Sequence, residues 1–264
     1  MVGGIFIMNS REALIGLVIK YKGKWDDIMT ALSSREHPEE EYIRKAQQLK
    51  CKVVTLLDAE YPAVIKSVVK PPFALFYYGD LNIISNYYKN ISVVGSRDCS
   101  EYGSRMTTEI AGDLAAKGYV IVSGLARGID SIAHTAAIER GGQTVAVLGS
   151  GIDYCHPKSN IKLYNIIKEK HLLISEFPEY LVPSPENFPI RNRIIAGLSK
   201  TLIVTEAKYN SGSLTTALLA LNGNSDVMCV PYHAGENSEC NRLISNGAIL
   251  VENADDVIKE MSPY

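Results

Sequence analysis

A repeated alternation that begins at Ile91 constrains this chain more than any other feature. Short aliphatic, largely β-branched runs each end in glycine and serine and are followed by apolar residues at helical spacing. Ile91-Ser92-Val93-Val94 ends in Gly95-Ser96-Arg97; Met106, Ile110 and Leu114 then recur at four-residue spacing, with Gly118 as the predicted stop. Tyr119-Val120-Ile121-Val122 ends in Ser123-Gly124, and a helix through Ala133, Ala137 and Ile138 follows, with Asp130 as its predicted cap and Gly141-Gly142 as its end. Thr144 to Leu148 is the third run and ends in Gly149-Ser150-Gly151. Further strands are predicted at 171–174, 201–205, 226–230 and 248–251, with helices over 161–168, 189–198, 213–222 and 241–246 between them. Strands that are apolar on both faces and alternate with helices form a parallel sheet covered on each side.

The fold class is therefore α/β: an extended, Rossmann-like parallel sheet with helices on both faces. The 264 residues leave room for one large domain and an appendage, at roughly 150 residues per domain. Residues 1–50 read as a small helical N-terminal domain, with Ser10 as the predicted cap of a helix over 11–19, a charged run at 35–41 and a second helix over 42–49. Residues 51–90, which contain Tyr61-Pro62, Pro71-Pro72-Phe73 and Phe76-Tyr77-Tyr78-Gly79, read as an ordered lead-in to a core that spans 51–264.

Composition then narrows the compartment and the partners. Five cysteines form no CxxC pair and are odd in number, which fits a reducing cytosol and a cytoplasmic protein. Cys155-His156 lies far from every other Cys or His, so no metal site is expected. Met1 to Met8 is apolar but lacks a cationic lead and a signal-length core, and Asn9-Ser10-Arg11-Glu12 follows at once, which argues against a secretory leader. Met8 is an alternative start. No stretch approaches the roughly 18 apolar residues of a membrane helix, so no membrane partner is expected. With 27 Lys+Arg against 29 Asp+Glu the net charge is −2, which excludes a histone-like polycation. Any nucleic acid must bind through a local patch.

In open α/β sheets, ligands bind beyond the carboxyl ends of the strands. Those positions read Gly95-Ser96-Arg97, Ser123-Gly124-Leu125-Ala126-Arg127-Gly128, Gly149-Ser150-Gly151 and Ser211-Gly212-Ser213. Each supplies glycine for close backbone approach, hydroxyl groups and free N–H groups at a helix start, and two add an arginine that can grip phosphate. Together they describe a rim for anions; the competing reading is that these glycines only pack turns. A mononucleotide, a dinucleotide and a nucleic-acid backbone would all satisfy such a rim. A dinucleotide is disfavoured, because the first loop has no GxGxxG and the second strand ends in Ser123 rather than an acid. No GxxxxGK[ST] occurs either, and no cofactor is expected.

A second basic cluster is Phe188-Pro189-Ile190-Arg191-Asn192-Arg193-Ile194-Ile195. Pro189 suits a first helical turn and places both arginines near the helix N-terminus, where cations oppose the dipole. Either they serve a function or they pair with acids such as Glu186 or Glu176. Catalytic candidates are thinner. His134 stands one turn after Asp130, so an Asp–His pair competes with a structural bond to a loop carbonyl. Ser211 lacks a GxSxG elbow. Glu206 is a base or a binder of loop amides. No triad and no paired carboxylates stand out.

These segments together resemble the DNA-processing protein family called DprA or Smf. The resemblance rests on Tyr61-Pro62, Val93 to Arg97 with Ser100 and Tyr102-Gly103, Ser123 to Asp130 with Ala133-His134, and Thr144 to Asp153. It continues through Ser175-Glu176-Phe177-Pro178, Phe188 to Ile195, Glu206-Ala207, Ser211 to Leu214 and Asn241 to Ala248. It implies a cytosolic, non-enzymatic, dimeric bacterial protein that binds single-stranded DNA in a basic pocket at the carboxyl edge of the sheet. Such a protein loads the RecA recombinase and protects incoming DNA in natural transformation. By motif, the GSR arginine is Arg97, and the basic residue of the loop after the third strand is Lys158, within His156-Pro157-Lys158-Ser159-Asn160. The DNA-binding set so implied is Gly95, Ser96, Arg97, Gly124, Arg127, Gly128, Lys158, Asn160, Arg191, Asn192, Arg193, Ser211 and Gly212.

The chain also departs from the family. It has His156-Pro157 where Tyr-Pro is common, Pro231-Tyr232 where Pro-Gly is common, and Thr215 where isoleucine is common. The N-terminal segment lacks a Pro-Gly-Ile-Gly turn, and, with Tyr264 reached soon after the core, the winged-helix domain of many relatives is not expected. Tyr102 and Tyr154 are the candidate base-stacking aromatics. The alternative is a Rossmann-like nucleotide-processing enzyme of the phosphoribohydrolase type. Its PGGxGT-type loop and following Glu have as nearest counterpart Asn210-Ser211-Gly212-Ser213-Leu214-Thr215, which has no acid at that position. A third reading is an interaction scaffold with a vestigial rim.

Overall fold

The runs that begin at Ile91 fold as strands because their residues are apolar on both faces of the pleat. In the computed structural model, which describes residues 9–208, 211–233, 236 and 238–261, Val93 packs beneath one layer of helices and Val94 beneath the other. The apolar segment Met1 to Met8 and Asn210 lie outside the described residues.

Three helices come first, α1 (Ser10–Lys20), α2 (Trp25–Ser33) and α3 (Glu40–Gln47), followed by β1 (Lys52–Thr55), the short α4 (Ala63–Lys66) and β2 (Ala74–Tyr78). The alternation then runs β3 (Asn90–Gly95), α5 (Glu101–Ala116), β4 (Val120–Ser123), α6 (Ile129–Glu139), β5 (Gln143–Leu148) and α7 (Ile161–Lys170). It continues with β6 (Leu172–Ser175), α8 (Asn187–Gly197), β7 (Thr201–Glu206), α9 (Gly212–Asn222), β8 (Asp226–Cys229), α10 (Glu239–Ser245), β9 (Ile249–Leu250) and α11 (Ala254–Met261).

The strands form one sheet in the order β1-β2-β6-β5-β4-β3-β7-β8-β9. From β6 across to β9 every pairing is parallel, as expected. The other edge adds two antiparallel strands to the parallel sheet that the sequence predicts. Within the segment read as a lead-in, β2 pairs antiparallel to β6, with Phe76 opposite Ser175 and Tyr78 opposite Leu173, and β1 pairs antiparallel to β2. Helices α5, α6 and α11 cover Ile91, Val93, Ile121 and Ile203 on one face. On the other face α8, α9 and α10 cover Val94, Val122, Val147 and Val204. Leu14, Val18 and Ile28 of the N-terminal helices join the core of the first face against Phe76, Ala146 and Leu173.

Two caps differ from expectation. Asn9, not Ser10, caps α1, its Oδ1 accepting from the Glu12 N–H at 2.8 Å; Ser10 is already helical. Asp130 does not cap α6 either. Gly128 holds that position with φ +73°, and the Asp130 carboxylate turns back to accept from the N–H groups of Gly124 (3.2 Å) and Ala126 (3.3 Å). The side chain that reads as a helix cap fastens the preceding loop instead.

Phe76 is fully buried where the β2 edge meets the N-terminal helices, so the edge and the parallel core should unfold together. Phe76→Ala is expected to lower the unfolding free energy by about 3–5 kcal/mol. Urea denaturation followed by circular dichroism should show one transition moved as a unit; a separate early transition would mean that the edge is energetically independent.

Candidate functional site

The sheet grows outward from β3 in two directions, through β4, β5 and β6 on one side and β7, β8 and β9 on the other. Loops leaving the carboxyl ends of β3 and β7 therefore diverge, and such a switch point opens a crevice. A pocket of about 650 Å³ lies there. Its walls are Gly95 to Asp98 after β3, Ala126 and Asp130 after β4, Phe188, Pro189, Arg191 and Asn192 of α8, and Lys208 with Ser211 to Ser213 after β7.

The β3 loop is fixed from beneath. The Ser96 N–H donates to the Glu206 carbonyl at 2.8 Å, and the Ile129 N–H donates to the Ser96 carbonyl at 3.1 Å. Gly128 makes that approach possible, since a Cβ there would stand 2.3 Å from the Ser96 carbonyl oxygen. The Arg97 side chain stays exposed at the pocket mouth, its guanidinium 5.6 Å from the centre of the Phe188 ring, within cation–π range. Opposite, the Lys208 ammonium donates to the Asp98 carbonyl at 3.1 Å, and Asn192 Nδ2 donates weakly to the Gly212 carbonyl at 3.4 Å. Helix α9 starts at the pocket with no side-chain cap: the Ser211 and Ser213 hydroxyls bond each other at 2.7 Å, and Gly212 has open space where a Cβ would stand. First-turn N–H groups of a helix have no intrahelical partner and favour an anion.

Arg191 plays another part. It is only 4% exposed, and its Nη1 donates to the Gly124 carbonyl at 2.7 Å and to the Val147 carbonyl, both at the carboxyl ends of neighbouring strands. Burial pulls its guanidinium down to about 10, opposed by the nearby Asp130 charge and assisted by Arg97, so it remains a cation at neutral pH. Burial likewise pushes Asp130 up, against the pull of Arg191 and of the two loop amides. Arg191 thus puts positive charge into the pocket floor while its Nη1 is taken up by two strand-end carbonyls.

Arg193 is turned away from the pocket. Its two terminal nitrogens meet both Glu176 oxygens at 2.6 Å, with side chains 10% and 3% exposed, which is the acid pairing that the sequence left open. It lines a separate groove with Trp25 and Val69. Asn160 fastens the β4 loop by donating to the Leu125 (3.0 Å) and Ala126 (3.2 Å) carbonyls, and Lys158 stands exposed on the same turn, outside the pocket lining. Arg127 meets Asp98 at 3.4 Å with both side chains exposed, a weak rim pair. The loop Gly149-Ser150-Gly151 takes the packing reading: a Cβ on Gly149 would stand 2.7 Å from Phe188, and one on Gly151 would be 2.4 Å from the Leu181 nitrogen.

The catalytic candidates resolve into structural roles. His134 Nδ1 meets the Thr144 hydroxyl at 2.6 Å rather than a loop carbonyl, and burial pulls its pKa down to about 3, so the ring is neutral. Asp130 turns to loop amides rather than to His134. Glu206 takes the amide-binding reading through Ser100. Tyr102 donates to the Pro231 carbonyl, and neither it nor Tyr154 lines the pocket. Among the described residues the pocket aromatics are Phe188 and His156, with ring centres 5.5 Å apart. Phe188 opens the Arg191–Arg193 motif, and that adjacency was the available signal. Among the described residues no cluster of metal-binding side chains occurs, and no helix is long and apolar enough to cross a membrane.

A family profile described as DNA recombination-mediator protein A matches residues 52–262. DNA processing protein DprA of Streptococcus pneumoniae is 41% identical over 208 residues, covering 78% of this chain and 73% of that protein. Protein Smf of Escherichia coli is 40% identical over 204 residues, covering 76% of this chain but 54% of that protein. Among solved structures, DprA from Streptococcus pneumoniae superposes with a TM-score of 0.80 at 34% identity over 96% of this chain and 94% of that one. DprA from Helicobacter pylori, described for its unique single-stranded DNA binding mode, gives 0.73 at 28% identity over 80% of this chain and 96% of that one.

The buried Arg193–Glu176 pair should matter for stability. Glu176→Ala strands a guanidinium and is expected to cost about 3–5 kcal/mol, whereas replacing both partners with apolar residues of similar volume should cost much less. Urea titrations of the single and double variants check this; equal losses would contradict it.

Proposed function

The chain belongs to the DNA recombination-mediator protein A family, and on that premise we propose that its switch-point pocket grips the backbone of single-stranded DNA. The observation that carries this reading is the convergence of an exposed Arg97, an uncapped α9 start and the Phe188 ring in one pocket. Arginine holds phosphate bidentately, helix-start amides donate to an anion, and an aromatic face stacks any base without reading its identity. The Helicobacter pylori relative, described for binding single-stranded DNA, supports the choice of ligand.

On this reading the protein is a cytoplasmic homodimer that delivers single strands to the RecA recombinase and shields incoming DNA during natural transformation. It acts by binding rather than by catalysis. The buried carboxylates nearest the pocket support this, because Asp130 and Glu206 already accept from loop amides. Lys158 extends the basic surface beyond the pocket, on the turn that Asn160 fastens.

Fluorescence anisotropy with a labelled oligo-dT and a matching duplex, over a range of salt, tests the reading. Single-strand binding should weaken steeply with salt, at about 0.7 of log–log slope per phosphate contact. Arg97→Ala and Lys158→Ala should weaken binding to all sequences about equally. Unchanged affinity in both variants would remove the site assignment, and release of free base from nucleoside monophosphates would favour the hydrolase instead. Faster RecA filament formation on strands pre-coated with a single-strand-binding protein is the expected result for the mediator role; no acceleration would contradict it.

A further inference from the structure

Three motifs of the sequence, Ser100, Tyr102-Gly103 and Glu206-Ala207, belong to no wall of the DNA pocket, yet they meet around one buried carboxylate. Glu206 is 7% exposed at the end of β7, 106 positions from Ser100. Its Oε2 accepts from the Ser100 N–H at 2.9 Å and from the Ser100 hydroxyl at 2.6 Å. The same hydroxyl accepts from the Gly103 N–H at 3.0 Å, which makes Ser100 the cap of α5.

This is a capping box with one member supplied from elsewhere. In the usual arrangement a Ser caps the helix while a Glu at the third helical position reaches back to the cap residue's own N–H. Here the third helical residue is Gly103, and the N–H of Ser100 goes to Glu206 from another strand. The glycine is required by the arrangement: a Cβ on Gly103 would stand 2.2 Å from Glu206 Oε2.

The loop between Gly95 and Ser100 carries Arg97, and both of its ends are tied to the same residue. Ser96 donates to the Glu206 carbonyl, and Ser100 donates to the Glu206 carboxylate. The chain then runs from Glu206 to Lys208 and Ser211, which form the opposite wall. One residue therefore sets the spacing between the arginine wall and the α9 wall.

We propose that Glu206 is the positioning residue of the DNA site, holding Arg97 in register with the start of α9 through a capping box completed across the sheet. The proposal rests on the DNA reading of the pocket and concerns how Arg97 is held there, not whether DNA binds. A Glu206 that merely stabilised the fold would lower the melting temperature without changing the number of phosphate contacts.

The test is the salt dependence of oligo-dT binding for Arg97→Ala, Glu206→Ala, Glu206→Gln, the Arg97→Ala/Glu206→Ala double variant and a Glu206→Ala/Gly103→Glu variant. All are measured at a temperature where circular dichroism shows each variant folded. Glu206→Ala should weaken binding about tenfold, as for loss of one charge-assisted contact, and reduce the log–log slope by about 0.7, matching Arg97→Ala. The Arg97→Ala/Glu206→Ala variant should show no further reduction. Glu206→Gln, which keeps one acceptor oxygen, should fall between Glu206→Ala and the unmodified protein. Gly103→Glu in the Glu206→Ala background rebuilds the box within α5 but not the tie to β7, so the slope should stay reduced; a restored slope would mean that capping of α5 alone, not the link across the sheet, holds Arg97. A normal slope in Glu206→Ala beside a reduced slope in Arg97→Ala would overturn this role alone, as would additive losses in the double variant. A normal slope in Arg97→Ala would bring down the DNA reading of the pocket and this role with it.

Discussion

Because β3 to β9 all point one way, every βα loop leaves the same edge of the sheet, and the reversal of strand order between β3 and β7 is what parts those loops into a pocket. Keeping that edge in shape requires satisfying the carbonyls that end the strands. Arg191 does so for Gly124 and Val147 with a single buried guanidinium. A buried charge is costly unless it is paired and hydrogen-bonded. Here Asp130 supplies the counter-charge and is itself held by the amides of the adjoining loop. The arrangement fixes the pocket floor and leaves the exposed Arg97 to supply its positive charge.

The arginines of this region divide by burial into separate tasks. Arg193 is spent on Glu176, a bidentate pair that joins α8 to the segment after β6. Arg191 is spent on strand ends. Arg97 stands exposed at the surface beside the Phe188 face. An exposed cation is suited to a ligand with repeated negative charge, and the buried pair gives it a rigid platform. The balanced charge of the whole chain, −2, is compatible with this because the positive potential is local.

The sequence made the parallel core legible because strands buried on both faces show as continuous apolar runs punctuated by glycine. It hid the antiparallel edge because β1 and β2 lie in a segment rich in proline and aromatics, whose pairing with β6 depends on partners about a hundred positions away. The rim was legible as a chemistry but not as a geometry. Gly149-Ser150-Gly151 resembles the other glycine–serine loops and packs against Phe188 and Leu181, while Gly212 has open space where a Cβ would stand. Asp130 and His134 illustrate the same limit. Their spacing suits a pair, but the loop amides and Thr144 lie closer once the sheet is built. Which acid would claim Arg193 depended on the path from β6 to α8, which spacing alone does not reveal.

Where a bound single strand lies is the central claim, and photocrosslinking addresses it most directly. An oligonucleotide with 5-iodouracil at each position in turn would be irradiated with the full chain, and the adducts mapped by mass spectrometry. Adducts at Phe188 or His156, whose rings line the pocket that Arg97 borders, are the expected result. Adducts confined to the N-terminal helices, or to the groove lined by Trp25 and Val69, would place the strand elsewhere and contradict the account.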